Sequence, residues 1–224
     1  MSRLAVIATL YGQRSIDNSD RIAAALREQT RIPDELWLMY EGDAGWEAAA
    51  NIADYIVGYC KPGAAFPEGW HYPYILEIAT PRDESGHYTE IPYSLKSNYA
   101  LDHTEADYIT YLTDDSWPAP EKYERMVAAL DENPEWGAVY CSQDFGGIRH
   151  ADQVVADAHC RVDHTQVMHR LTADRWPTEI GDIMLGDAIF WRRLHASLGP
   201  FWPINEVLDF VRQTNDGISA GNRS

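Results

Sequence analysis

Two adjacent carboxylates, Asp114 and Asp115, follow directly on Tyr108-Ile-Thr-Tyr-Leu112, a short run of aromatic, β-branched and aliphatic residues. Such a run, bounded by polar residues, reads as a buried strand of a parallel sheet. In open α/β sheets ligands collect beyond the carboxyl ends of the strands. Hard divalent cations seek carboxylate oxygens together with substrate phosphates. The pair therefore predicts a site for a metal ion and a diphosphate. Its plain structural reading is a solvated turn, since Asp and Ser in Asp-Asp-Ser-Trp-Pro favour turns and helix starts.

The elements that must position this pair alternate along the chain. Leu4 to Leu10 is an apolar strand. Asp17, Asn18 or Ser19 can cap a helix whose Ile22, Ala23 and Leu26 have helical spacing, and Leu36 to Tyr40 is a second strand. Strand, helix, strand implies a right-handed parallel crossover. A helix near Trp46 to Ile52 and a short strand at Tyr55 to Val57 extend the pattern. Residues 61–93 are rich in Pro, Gly and aromatics and read as a long irregular loop, fit to fold over a ligand. Pro118 to Leu130 reads as a helix, Gly137 to Ser142 as a strand, and about Asp187 to Ser197 as a final helix.

The acidic segment and its surroundings resemble the nucleotide-sugar glycosyltransferases of the GT-A fold, family 2 in particular. That family's pattern is Ala-Arg-Asn, a short helix, Gly-Glu-Tyr-Ile, then Leu-Asp-x-Asp-Asp. Lys96-Ser97-Asn98 lies where Ala-Arg-Asn would be, Ala106-Asp107-Tyr108-Ile109 matches the strand entry, and Leu112-Thr113-Asp114-Asp115-Ser116 matches the acidic motif without a gap. Thr113 stands at the first Asp. Either Asp114 compensates, or the diphosphate holds more of the metal, or metal dependence is lost. Ala8-Thr9-Leu10-Tyr11-Gly12 is similar to the family's nucleotide-facing turn, and Glu41-Gly42-Asp43 to the turn whose acid meets the base or ribose. Gly186-Asp187, the helix after it, Gly199 and Val207 to Thr214 keep the spacing of the family's catalytic segment.

The resemblance implies one GT-A domain over 1–224, α/β with a mixed, mainly parallel sheet flanked by helices. Residues 1–117 would bind the nucleotide and 118–224 would build the acceptor side. It implies transfer of a sugar from a nucleotide-diphosphate sugar, a UDP-sugar first, to an acceptor hydroxyl, with inversion and with Mn²⁺ or Mg²⁺. Asp115, with Asp114, would hold metal and diphosphate. Asp187 would be the general base, Thr9, Tyr11, Glu41 and Asn98 would line the nucleotide side, and Arg212 would contact phosphate or order a closing loop. Thr214 stands where some members carry a metal-binding histidine. Asp187 also suits the start of the helix that follows it.

Composition sets the remaining bounds. The 224 residues are 45% hydrophobic with eight Trp, enough for a folded α/β domain. A formal charge of −17 disfavours nonspecific binding to nucleic acid or anionic lipid. No apolar run has the length of a membrane span, and the first ten residues lack a secretory cleavage signature, so the expected location is cytoplasmic. Cys60, Cys141 and Cys160 have no framework spacing and read as reduced thiols. His150, His159, His164 and His169 join Cys141 and Cys160 in a segment without close zinc-ligand spacing. Within it, 163–170 is expected near the acceptor or donor sugar. Two other functions stay open. A nucleotidyltransferase would need a better phosphate loop than Gly12-Gln13-Arg14. A non-catalytic nucleotide- or carbohydrate-binding protein of the same fold would account for Thr113 and Thr214.

Overall fold

A computed structural model describes residues 2–57, 71, 73–149, 162–182 and 186–211. The first crossover is β1 (Leu4–Tyr11), α1 (Gly12–Arg27), β2 (Glu35–Glu41), α2 (Gly42–Val57) and β3 (Tyr74–Glu77). Then come α3 (Pro92–His103), β4 (Tyr108–Thr113), β5 (Ser116–Pro118), α4 (Lys122–Glu132), β6 (Ala138–Asp144) and β7 (Ile148–Arg149). The chain closes with β8 (Val167–Arg170), α5 (Gly186–Leu198) and β9 (Phe201–Val211). Among the described residues these strands form one sheet in the order β3-β2-β1-β4-β8-β6-β9-β5, with β7 on β6. The β1, β2, β3 and β4 pairings are parallel, whereas β8 enters antiparallel to both β4 and β6.

Strand alternation divides the core into two layers. Leu4, Val6, Ala8 and Leu10 pack with Ile22 and Leu26 of α1, the alanine face of α2, and Tyr123 and Met126 of α4. Ala5 and Ile7 point the other way, toward Ala100 and Leu101 of α3 and an aromatic group of Trp176, Phe190 and Trp191. No helix among the described residues is long and apolar enough to cross a membrane.

Three expectations are corrected. Tyr55 to Val57 is the end of α2, not a strand: Ala48, Ala49, Ile52, Ala53 and Ile56 keep the helical period to the last turn and are all buried. The third strand is instead Tyr74–Glu77, inside the segment read as irregular. Helix α1 begins at Gly12, five residues before the expected caps. Gly12 has φ of 59° and turns the chain directly from β1 into the helix. Asn18 and Ser19 are buried in its interior and do not cap it.

Register sets the site. Thr9 lies beside Thr113, and Tyr11 beside Glu41. The carboxyl ends of β1, β2 and β4 therefore open on one edge. Beyond Asp115 the chain crosses to the far side of the sheet path, where β5 pairs antiparallel with β9 (Ser116 with Val211, Pro118 with Asp209).

Candidate active site

Asp114 is almost completely buried, with 1% of its surface exposed. Three residues of α1 converge on it. The Ser15 hydroxyl donates to Oδ2 (2.7 Å), the Asn18 amide donates to the Asp114 carbonyl (2.7 Å), and an Arg14 guanidinium nitrogen lies 2.5 Å from Oδ1. Positions 14, 15 and 18 share one helical face, and that geometry locks the turn after β4 to the turn after β1. Burial pushes the Asp114 carboxyl above its ordinary range, against the pull of Arg14 and Ser15. Asp115 is more open. Its Oδ1 accepts from the Thr113 hydroxyl (2.7 Å) and its Oδ2 faces Arg14 (3.2 Å). Thr113 supplies no charge, but it fixes the orientation of the carboxylate beside it.

Glu41, at the end of β2, is surrounded by partners. Thr80 donates to it at 2.7 Å, buried Lys96 at 3.1 Å and Arg82 at 3.3 Å. Burial works against its charge, but these three donors more than compensate and hold its carboxyl below the ordinary value. Lys96 also lies 4.8 Å from the centre of the Tyr11 ring. Thr9, Tyr11 and Glu41 thus fall on one edge with a cationic and aromatic lining, and sequence reasoning had not assigned roles to Thr80, Arg82 or Lys96. Asn98 is differently employed: its amide donates to the Trp176 carbonyl (3.0 Å) and accepts from the Trp176 N–H (2.8 Å). Arg212 and Thr214 lie outside the described residues, as do Cys60, Cys160, His150 and His159. Cys141 is a buried free thiol on β6.

Asp187 stands in the first turn of α5, where the helix dipole favours a carboxylate. The helix starts at Gly186, where any Cβ would overlap the Tyr93 hydroxyl. His164 Nδ1 lies 3.5 Å from Asp187 and 3.3 Å from Asp163. Burial disfavours the imidazolium, but Asp163, Asp187 and Asp115 more than reverse this and raise its pKa to about 9. Asp163, His164 and Asp187 could together face a cation. The Asp163 carboxylate also accepts from the Thr165 N–H (3.0 Å), and His164 would ligate such a cation only after releasing its proton.

Behind these groups, the Trp176 indole donates to the Tyr111 hydroxyl (3.2 Å), and that hydroxyl lies 2.9 Å from His169 Nε2. His169 Nδ1 lies 2.8 Å from the Arg170 carbonyl, an acceptor, which assigns the proton to Nδ1 and leaves Nε2 to accept from Tyr111. Burial holds this imidazole neutral, with a pKa near 4.

The two histidines give stability opposite slopes with pH. His164 holds its proton in the fold up to about pH 9 but in the unfolded chain only to about 6.5, so its contribution is complete below 6.5 and is lost as pH rises toward 9. For His169 the unfolded chain takes the proton first, so its contribution is complete above about 6.5 and is lost as pH falls toward 4. Urea unfolding at pH 5, 7 and 9 should be most demanding near neutrality. His164→Gln should flatten the alkaline limb by on the order of 3 kcal/mol. An unchanged alkaline limb would refute the protonated state.

Residues 96–199 match the sequence model of glycosyl transferase family 2. Protein CgeD of Bacillus subtilis (strain 168) is 36% identical over an alignment of 151 residues, with 58% of this chain and 35% of that protein covered. Residues 1–349 of S. aureus TarS, solved in complex with UDP, superpose with a TM-score of 0.66 at 12% identity, over 96% of this chain and 61% of that one. The chain has the GT-A fold, and its residues 96–199 are similar to glycosyl transferase family 2. The mannosyltransferase PcManGT of Pyrobaculum calidifontis, solved with GDP-Man and Mn²⁺, superposes with a TM-score of 0.64 at 15% identity, over 98% of this chain and 59% of that one. The chain thus spans about a third of its curated relative and about three-fifths of these structures.

Proposed function

We propose that this chain is the catalytic domain of a glycosyltransferase that moves a sugar from a nucleoside-diphosphate sugar to an acceptor hydroxyl with inversion. One observation carries the reading: His164 lies against Asp187 and within electrostatic range of Asp115. This proximity supports reading a carboxylate on a helix N-terminus and an acidic pair at the strand ends as parts of one site. The family 2 match over 96–199 covers the acidic pair and Asp187 alike.

In this reading the acceptor oxygen attacks the anomeric carbon while Asp187 takes its proton, and the bond to the diphosphate breaks with its electron pair leaving on phosphate oxygen. Thr9, Tyr11 and the Glu41 group form the nucleotide side. Asn98 shapes the wall through Trp176. Residues 1–117 supply the donor half and 118–224 the acceptor half. The acidic pair suits a cation, because Asp114 and Asp115 already face the Arg14 guanidinium and Asp115 is partly open. A Mn²⁺ or Mg²⁺ ion would be held through Asp115 and would neutralise the leaving phosphates.

Thermal unfolding against UDP-, GDP-, dTDP- and CMP-sugars, each with Mn²⁺ or EDTA, tests the reading. TarS and PcManGT hold UDP and GDP-Man, so uridine and guanosine donors are screened first. Stabilisation by one nucleotide of roughly 2–3 kcal/mol at a hundredfold excess over its Kd is expected. No shift with any nucleotide at millimolar concentration would overturn the function.

A further inference from the structure

We propose that Arg14 is the diphosphate-binding cation of this site, kept at the crevice by Asp114 and Asp115 until a donor engages it. The inference rests on the donor-site reading above and adds a residue that neither the acidic motif nor the helix pattern pointed to.

Its placement is fixed by the helix that carries it. Ser15 and Asn18 bind the side chain and carbonyl of Asp114, so the residue between the β1 turn and Ser15 is held over the acidic pair. One guanidinium nitrogen then reaches Asp114 Oδ1 (2.5 Å) and the other reaches Asp115 Oδ2 (3.2 Å). The rest of the group remains accessible, since the Arg14 side chain is 40% exposed while Asp114 is buried. A guanidinium has five N–H donors in a planar fork that matches phosphate geometry, and two contacts to carboxylates leave donors free.

The charges nearby point the same way. Lys96 and Arg82 are engaged by Glu41, and His164 lies between Asp163 and Asp187. Among the described residues Arg14 is the side-chain cation in direct contact with Asp114 and Asp115. An incoming diphosphate meets two carboxylates partly offset by this guanidinium, so its own negative charge is repelled less than by the bare pair. A divalent ion approaching Asp115 without a nucleotide must displace the guanidinium. Arg14 therefore favours diphosphate and opposes metal binding on its own.

Calorimetric titration of UDP, GDP, uridine and guanosine into the full chain, in EDTA and in Mn²⁺, separates the possibilities. In EDTA, Arg14→Ala should weaken binding of the accepted nucleoside diphosphate at least tenfold while leaving the matching nucleoside unchanged, and Arg14→Lys should recover part of the loss. Because Arg14→Ala leaves a buried carboxylate uncompensated, the double variant R14Q/D114N, which removes both charges, repeats the comparison in a fold without that burden. Electron paramagnetic resonance of Mn²⁺ in the absence of nucleotide should show tighter binding to Arg14→Ala than to wild type. Equal diphosphate affinity in wild type and in both Arg14 variants in EDTA would overturn this inference alone. Failure of the wild-type chain to bind any nucleotide, with or without Mn²⁺, would overturn the donor-site reading as well.

Discussion

Asp187→Asn should lower sugar transfer by on the order of 10³-fold while changing the Kd of the nucleotide by less than about twofold, because a positioned general base contributes roughly 10²–10⁴. The asparagine side chain has the same shape and suits a helix start as well as aspartate does. The fold around Gly186 and Tyr93 is therefore kept, while the capacity to take a proton and the charge facing His164 are removed. Asp187→Ala provides the contrast: if the carboxylate only stabilised the start of α5, Asn would retain activity and Ala would lose it. Both should be equally inactive. Transfer by Asp187→Asn above about a third of the wild-type rate would remove Asp187 from the chemistry.

Asp209→Ala should destabilise the fold by about 3–5 kcal/mol, the cost of leaving a buried charge without its partner. Lys122 Nζ lies 2.6 Å from Asp209, and both side chains are essentially without solvent contact. The same carboxylate accepts from the Thr165 hydroxyl (2.7 Å) and the Gln143 amide (2.9 Å), while Lys122 also donates to the Thr165 carbonyl. One acid thus joins α4, β6, β9 and the turn that carries Asp163 and His164. Calorimetry should show the melting temperature falling by roughly 10 °C, given about 2–4 °C per kcal/mol for a chain of this size. Lys122→Met with Asp209→Asn removes both charges and keeps an acceptor for Thr165 and Gln143, so it should recover much of the loss. A melt of Asp209→Ala within 2 °C of wild type would show that the pair carries little stability.

The sheet was legible where burial is continuous. Leu4 to Leu10, Leu36 to Tyr40, Tyr108 to Leu112 and Gly137 to Ser142 are apolar runs because they lie inside the sheet, and each became a strand within a residue or two of its expected ends. The third strand was not legible, since Tyr74 to Glu77 is a half-exposed edge strand of four residues set among prolines, too short for its Ile-Leu pair to stand out. The early start of α1 was hidden because Asp17, Asn18 and Ser19 look like capping residues, whereas Asn18 binds the Asp114 carbonyl from within the helix. For the site, the acidic pair was suggested by its place directly after a strand, and Asp187 by the resemblance to the family's catalytic segment. The contacts that define their surroundings could not. Arg14 meets Asp114 across 100 positions and Lys96 meets Glu41 across 55, and a single sequence carries no signal of such distant pairings.

The pairing of Ser116 with Val211 bears on how this chain can be handled. Strand β9 ends at Val211 beside the turn that holds Asp114 and Asp115, whereas Ser2, tied to Asp131, precedes the opposite end of β1. An affinity tag or fluorescent fusion joined after position 211 would thus be tethered at the mouth of the crevice. One placed ahead of Ser2 would hang from the far edge. Labels, surface attachment and fusion partners to this domain therefore belong ahead of β1 rather than after β9.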